Sequence, residues 1–495
     1  MSAVCPHLED DIWKSSAVDL GAAVRRREVS AHDLVNASLD RIDKHDGELK
    51  AFVTVDREQA IADAAAADRD LAQGHCRGPL HGIPVGIKDN TLTKGLRTTF
   101  GSKIHAHTVP DIDDLCVARL KAAGAIVIGK TNTPEFGCGA LCTNELQGPT
   151  ANPYNLAYTS GGSSGGSAAA VCAGLVPLAQ GTDFGGSVRT PASFCGIVGL
   201  RPTPGRVPIA SGALAWSTMN THGILARNVR DAALMLEVMS GEDLRDPLSS
   251  GRDVWRQQTG SSANSGVRVA CSADLNFAPI DARVRAVFDT AVKRMQQLPL
   301  EIRPDTPDCT GATKAFETLR AVSLYHSHSR LCRDHRDECS SSFVWNVERG
   351  QGISAQQYVD AEAMRTRIYR RFAEFFQRYD FLVTLSAAVP PFPNSQTDVA
   401  SIDGNVMANI IDYLRITYIV SLVGFPALSI PCGWTKEGFP IGLQIIAAPF
   451  REDRLVEFGA MLEQKLDFAH RWPDIAATRR DAAAEQRVAA ATPMS

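Results

Sequence analysis

The chain has 495 residues, 44% hydrophobic and 21% charged, with a net charge of −4. Such a slightly acidic chain of ordinary globular composition is not a general nucleic-acid binder, which would be basic, and nothing in it attracts an anionic membrane. Twelve cysteines lie scattered with no CxxC pair, which disfavours a zinc ribbon or a thioredoxin-like site and suits a reducing, cytoplasmic setting.

The opening MSAVCPHLEDDIWKSS has no basic n-region and no apolar h-region, so no secretory signal is expected. Residues 17–71 read as helical. Ser30 precedes Ala31–Ile42 with Asp33 three residues on, an N-cap pattern, and Ala60–Leu71 is alanine-rich with its charges on one side. Asp114–Ala123 predicts a helix, Gly124 a turn and Ala125–Ile128 a buried strand, the rhythm of an α/β protein. Thr159–Gly205 is rich in Gly, Ser and Ala. Within it, Ala168–Ala179 is apolar and helix-competent but too short to span a bilayer. Asn228–Ser240 and Asp281–Gln297 predict helices, and Val267–Cys271 a strand. Ser249–Ser265 is polar and reads as a surface excursion. The stretch 305–375 is charged and largely helical. Phe381–Leu385, Ala427–Ile430 and Ile441–Ile446 predict strands. No repeat or linker divides the chain, so one domain is expected over 1–475, with 476–495 a frayed tail.

Two motif matches mislead. Gly124-AIVI-Gly129-Lys130-Thr131 fits the P-loop pattern, but its four middle residues are strand-like and apolar where phosphate binding needs flexible backbone. Gly161-Gly162-Ser163-Ser164-Gly165 fits the G-x-S-x-G elbow, but the preceding NPYNLAYTS is loop-like where an elbow needs an apolar strand. No histidine, His222 included, sits in a context that would complete a Ser-His-Asp set.

The informative segment is Ser160–Val207. It carries two serine-bearing glycine turns, around Ser163 and Ser187, with an apolar stretch between them. A flexible linker would not be anchored in this way. A serine nucleophile needs a base and an oxyanion needs convergent amides, and glycine lets a carbonyl approach the backbone closely. The amides of Phe184, Gly185 and Gly186 precede Ser187 and suit that task.

This segment resembles the defining signature of the amidase signature family. The resemblance continues in Gly82-Ile-Pro-Val-Gly-Ile-Lys88-Asp89-Asn90, Gly129–Phe136, Gly148–Pro153, Gly424–Pro431 and Pro440–Ile445, and covers roughly 15–470 in order. It implies one α/β domain, a twisted mixed sheet covered by helices. It implies a Ser–Ser–Lys triad: Ser187 as nucleophile, Ser163 as bridge behind a cis Gly162–Ser163 peptide, and Lys88 as base. Lys88 taken alone reads as a surface lysine after a strand; the two glycine-serine turns reverse that reading. Ser164 is expected to hydrogen-bond within its turn. Asp183 and Arg189 are expected to brace the oxyanion turn as an ion pair, and Asp89 to anchor backbone beside Lys88.

The implied activity is hydrolysis of a small-molecule amide through an acyl-enzyme, without metal or organic cofactor. Esters and carbamates present the same carbonyl to Ser187, so the sequence does not separate them. Two rivals remain: an A-type component of a tRNA-dependent amidotransferase, which works with partner chains, and a catalytically dead scaffold. SLYHSHSRLCRDHRDECSSSF does not resemble the block usual in the former, and all three triad residue types argue against the latter. Homodimers are common among such enzymes, and no feature here establishes one. Ile224 replaces a usual proline, and Thr190 stands where members acting on carboxylate-bearing substrates carry arginine, which disfavours a small dicarboxylate monoamide. Phe136–Leu141 and Ala213-Leu-Ala-Trp216 either line an apolar aryl or alkyl pocket or belong to the core.

Overall fold

The computed structural model describes residues 12–212, 214–250, 266–468, 470–476 and 478. The segment 17–71 is not continuous helix. It holds α1 (Ala17–Arg25), α2 (Ala31–Leu49) and α3 (Arg57–Ala72), with a strand, β1 (Phe52–Val55), before the last. Ser30 and Asp33 form the reciprocal capping box that starts α2. Its end is set by Lys50, in left-handed backbone at φ 52°, and by Asp46, whose carboxylate takes the amides of Ala51 and Phe52 at 2.7 and 3.2 Å.

Next come β2 (Pro84–Lys88), α4 (Leu115–Ala122) and β3 (Ile126–Thr131). Every residue of β3 is buried and it runs parallel to β2, so the apparent P-loop lysine, Lys130, is a strand residue. The stretch before Ser163, loop-like in sequence, pairs as a ribbon of β4 (Ala151–Asn152) and β5 (Asn155–Thr159). The Asn152 side chain turns that corner by accepting the Tyr154 amide at 2.9 Å. Ala168–Ala179 is not one helix. α5 (Gly165–Cys172) stops before Gly174, at φ 69°, and β6 (Leu178–Asp183) begins just past Pro177.

The rest comprises α6 (Arg189–Phe194), β7 (Val198–Arg201), β8 (Thr221–Ala226), α7 (Val229–Met239), β9 (Val267–Cys271), α8 (Ala282–Met295) and β10 (Leu300–Pro304). Three helices follow, α9 (Ala312–Asp334), α10 (Ser341–Glu348) and α11 (Ala355–Arg378), and then β11 (Phe381–Leu385). A short ribbon, β12 (Ser401–Ile402) and β13 (Asn405–Val406), leads to α12 (Arg415–Val423), β14 (Ala427–Trp434), β15 (Pro440–Ile446) and α13 (Glu452–Lys465). The polar excursion falls mostly, and the C-terminal tail almost wholly, outside the described residues.

Eleven strands make one mixed sheet, ordered β1-β3-β2-β6-β8-β7-β14-β15-β11-β9-β10. β3, β2 and β6 are parallel, the centre from β8 to β15 is antiparallel, and β11, β9 and β10 are parallel again. Helices cover this sheet, and strands such as β3, β6, β8, β11 and β15 are buried along their whole length, as expected where both faces are shielded. The result is a single α/β domain. Because β2 and β6 are parallel neighbours, their C-terminal ends emerge side by side, and Lys88 and Asp183 are their last residues. Among the described residues no helix is long and apolar enough to cross a membrane.

Candidate active site

Lys88 is fully buried at the end of β2, behind the buried side chains of Ile83, Val85 and Ile87. Its Nζ reaches Ser163 Oγ at 2.7 Å, Thr182 Oγ1 at 2.9 Å and Ser164 Oγ at 3.0 Å. Burial pulls its pKa down to about 7, against weaker opposing effects of Cys142, Asp183 and Cys138. Asp89, next in chain, anchors the backbone by accepting the Thr99 amide at 3.0 Å, the Thr99 hydroxyl, and the Gly101 amide at 3.4 Å.

The three hydroxyls around Nζ are not equivalent. Ser164 Oγ donates its own proton to the Thr182 carbonyl at 3.2 Å, so it can only accept from Lys88. Thr182 Oγ1 accepts from Asn90 Nδ2 at 3.1 Å and keeps one lone pair and its own proton for the contact with Lys88. A neutral amine has two protons and one lone pair. Ser164 must receive one of these protons, and of the two hydroxyls that still have a proton to give, Ser163 lies nearer Nζ, at 2.7 Å against 2.9 Å for Thr182. Ser164 thus serves Lys88 as well as its own turn. The Gly162–Ser163 peptide is cis.

Ser187 lies on the turn after β6. Among the described residues its Oγ makes no hydrogen bond, and both it and Ser163 line one cavity. The turn is clamped from beneath by Asp183, whose Oδ2 accepts Arg189 Nε at 3.0 Å while its Oδ1 takes Arg189 Nη2 at 2.8 Å. Arg201, which sequence reasoning missed, also reaches Asp183, at 3.2 Å. All three side chains are fully buried. Burial alone would raise the Asp183 pKa, but the two guanidiniums outweigh it and hold the carboxyl well below its usual range. The group carries one net positive charge, and its only sequence clue is an arginine closing a buried strand.

The clamp changes one expectation. The Gly186 amide donates to Asp183 Oδ1 at 2.9 Å, and the Val188 amide to Oδ2 at 3.1 Å. The Gly186 amide is therefore committed. Among the described residues the amides of Phe184, Gly185 and Ser187 have no internal acceptor, and they are the free donors on this turn. Gly186 is needed for another reason: its φ is 122°, and a Cβ there would collide with Thr417. Thr417 Oγ1 in turn holds the Gly185 carbonyl at 2.8 Å.

A second missed feature lies behind Lys88. Gln180 on β6 accepts the Lys88 amide at 3.1 Å and presents its Nε2 to His222 Nδ1 at 2.9 Å. That amide also bonds the Gly181 carbonyl, which fixes its orientation and makes Nδ1 the acceptor. His222 Nε2 faces Asp114 Oδ1 at 3.1 Å, and Cys116 completes a buried cluster of three ligand-type side chains. Ser211 Oγ donates to the other Asp114 oxygen at 2.6 Å.

The cavity has a volume of about 260 Å3. Phe136, Cys138 and Ala140 line it, as do Leu214 and Ala215; Leu141 opens instead on a neighbouring cavity, Trp216 is 78% exposed and does not line it, and Ala213 lies outside the described residues. Thr190 is buried, donates to the Ser386 carbonyl at 3.2 Å and does not line the cavity. The opposite wall, unforeseen in sequence, comes from α9 and α10 through residues that include Phe316, Arg320, His328 and Asn346.

The Amidase family model matches residues 33–456. An acylamidase of Rhodococcus erythropolis is 36% identical over 452 residues, covering 90% of this chain and 94% of that protein. The A-type component of the glutamyl-tRNA(Gln) amidotransferase of Moorella thermoacetica is 32% identical over 490 residues, covering 94% and 99%. The crystal structure of a bacterial aryl acylamidase of the amidase signature family superposes with a TM-score of 0.87 at 26% identity, covering 94% of this chain and 98% of that one. Matched along nearly its whole length in sequence and in fold, the chain belongs to the amidase signature family.

Proposed function

We propose that this amidase cleaves a small-molecule amide through an acyl-enzyme on Ser187, with Ser163 as bridge and Lys88 as base. The observation that carries this is the 2.7 Å contact between the buried Lys88 Nζ and Ser163 Oγ, with Ser163 lining the same cavity as Ser187. Ser163 then accepts the Ser187 proton as Ser187 Oγ bonds the carbonyl carbon. The oxyanion is received by the free amides of Phe184, Gly185 and Ser187 above a buried positive charge. The proton passes back through Ser163 to the leaving nitrogen, and water repeats the route to release the acid. Lys88 at a pKa of about 7 is part-neutral at neutral pH, as a base must be. The apolar walls suit an aryl or alkyl group, in keeping with the acylamidase relatives. Esters and carbamates fit the same chemistry.

The amidotransferase relatives support a second reading, an A-type component that works with partner chains on aminoacyl-tRNA. A fluorophosphonate probe, with intact mass and peptide mapping, tests the chemistry. One adduct on Ser187, lost in Ser187→Ala and suppressed in Lys88→Ala, is expected. An adduct on Ser163 would refute the assignment. Steady turnover of aryl and alkyl amides by the isolated chain favours the stand-alone enzyme; turnover that appears only with partner chains favours the second reading.

A further inference from the structure

α9 runs along the cavity with one face. Phe316, Arg320, Leu324 and His328 recur every four residues, and all four line it. The series starts at the reaction centre: Phe316 packs so close to Gly185 that a Cβ on that glycine would stand 3.1 Å from its ring. Arg320 is one helical turn farther out, roughly 6 Å along the axis.

Arg320 is an odd residue for this wall. It is partly buried and, among the described residues, has no carboxylate within ion-pair distance. Glu317, on the same helix, is engaged by Asn409 Nδ2 at 2.8 Å and by Arg349 at 3.8 Å. Among the described residues, the one hydrogen bond Arg320 makes is from Nη1 to Asn346 Oδ1 at 2.7 Å. Asn346 is itself fixed, donating to the Ser342 carbonyl at 2.8 Å and the Cys138 carbonyl at 3.3 Å. One edge of the guanidinium is thus held while its other donors remain free toward the cavity.

No other wall residue competes for an anion. Burial lowers the His328 pKa to about 4, so it is neutral. Asp246 faces the cavity, but its oxygens are occupied by the amides of Ile209 and Leu248, each at 2.8 Å. A desolvated guanidinium with free forked donors is complementary to a carboxylate.

We infer that Arg320, oriented by Asn346, is a subsite for a substrate carboxylate, so that the preferred substrates are amides carrying an anionic group one helical turn from the scissile bond. This rests on the acyl-enzyme reading of the site and narrows it. It also moves carboxylate recognition away from position 190, which faces the core.

The test uses isosteric pairs in two series. One places the group on the amine arm, N-acyl-4-aminobenzoate against the matching 4-aminobenzamide. The other places it on the acyl arm, monoanilides of C4 to C8 dicarboxylic acids against their terminal carboxamides. In at least one series the full-length enzyme should favour the carboxylate in kcat/KM by about 10- to 100-fold, the range of a charge-assisted hydrogen bond. Arg320→Met should collapse that ratio to about one, chiefly through KM, and Arg320→Lys should leave an intermediate ratio. A ratio near one in both series, or a preference that survives Arg320→Met, overturns the proposal. Fluorophosphonate labelling of Ser187 in the same preparations separates the two levels. Labelling with a flat ratio defeats only the carboxylate subsite, whereas no labelling defeats the acyl-enzyme reading and this inference with it.

Discussion

If Lys88 is the base, the rate of Ser187 acylation follows the neutral fraction of one buried amine. With a pKa of about 7, that fraction is about 9% at pH 6, half at pH 7 and about 91% at pH 8. A fluorophosphonate is the right reporter, since it has no ionisable group here and its reaction ends at Ser187. The second-order labelling rate should rise about tenfold per pH unit below pH 6 and change by only about 10% between pH 8 and 9. An unperturbed lysine, at ~10.4, would instead give a tenfold rise between pH 8 and 9. Lys88→Ala should lower the rate and flatten the curve. A rate still climbing tenfold above pH 8, or one level down to pH 5, would refute the assignment of a buried neutral lysine as base.

Lys88 should also cost stability. The unfolded chain holds its proton up to about 10.5 and the folded chain releases it near 7, so this group's contribution to stability improves as pH rises across that window. The gap corresponds to about 4 kcal/mol at pH 7, offset by three hydrogen bonds worth roughly 1 kcal/mol each. Lys88→Met should therefore be inactive yet more stable at pH 7 by about 1–3 kcal/mol in urea unfolding. Its advantage should shrink by pH 10, and a variant less stable than the parent at pH 7 would contradict this. Asp183→Asn leaves Arg189 and Arg201 buried without a counter-charge and should cost ~3–5 kcal/mol. A loss below about 0.5 kcal/mol in the same assay would mean the clamp bears no charge imbalance.

The residues proposed to react were legible in sequence because their local demands are severe. Lys88 follows apolar strand residues, Ser163 and Ser187 sit in glycine turns, and Asp183 with Arg189 brackets the second turn. Helix starts were legible where a cap announces them, as at Ser30. What escaped depends on contacts between distant segments. Arg201 meets Asp183 only because β7, β8 and β6 lie side by side, and Gln180 and His222 meet through the pairing of β6 with β8. The commitment of the Gly186 amide follows from how the turn folds over Asp183, which spacing along the chain does not reveal. β1 was lost among helices because four residues after Lys50 are too few for a periodicity to register. Arg320 lay in a charged helical stretch where any one arginine looks like solvated surface.

The order of the strands also separates two inheritances. The groups proposed to handle protons are fastened to β2, β6 and the turns beside them, at the middle of the sheet, where a change of register would displace all of them together. The far wall of the cavity comes instead from α9 and α10, part of a helical excursion, α9 to α11, whose two ends are tied into the sheet by β10 at the rim and by β11. Such a wall can be recut residue by residue while the strand pairing beneath it is conserved. A protein built on this plan can change its diet without relearning its chemistry, and variation sought for new substrates belongs between residues 312 and 348.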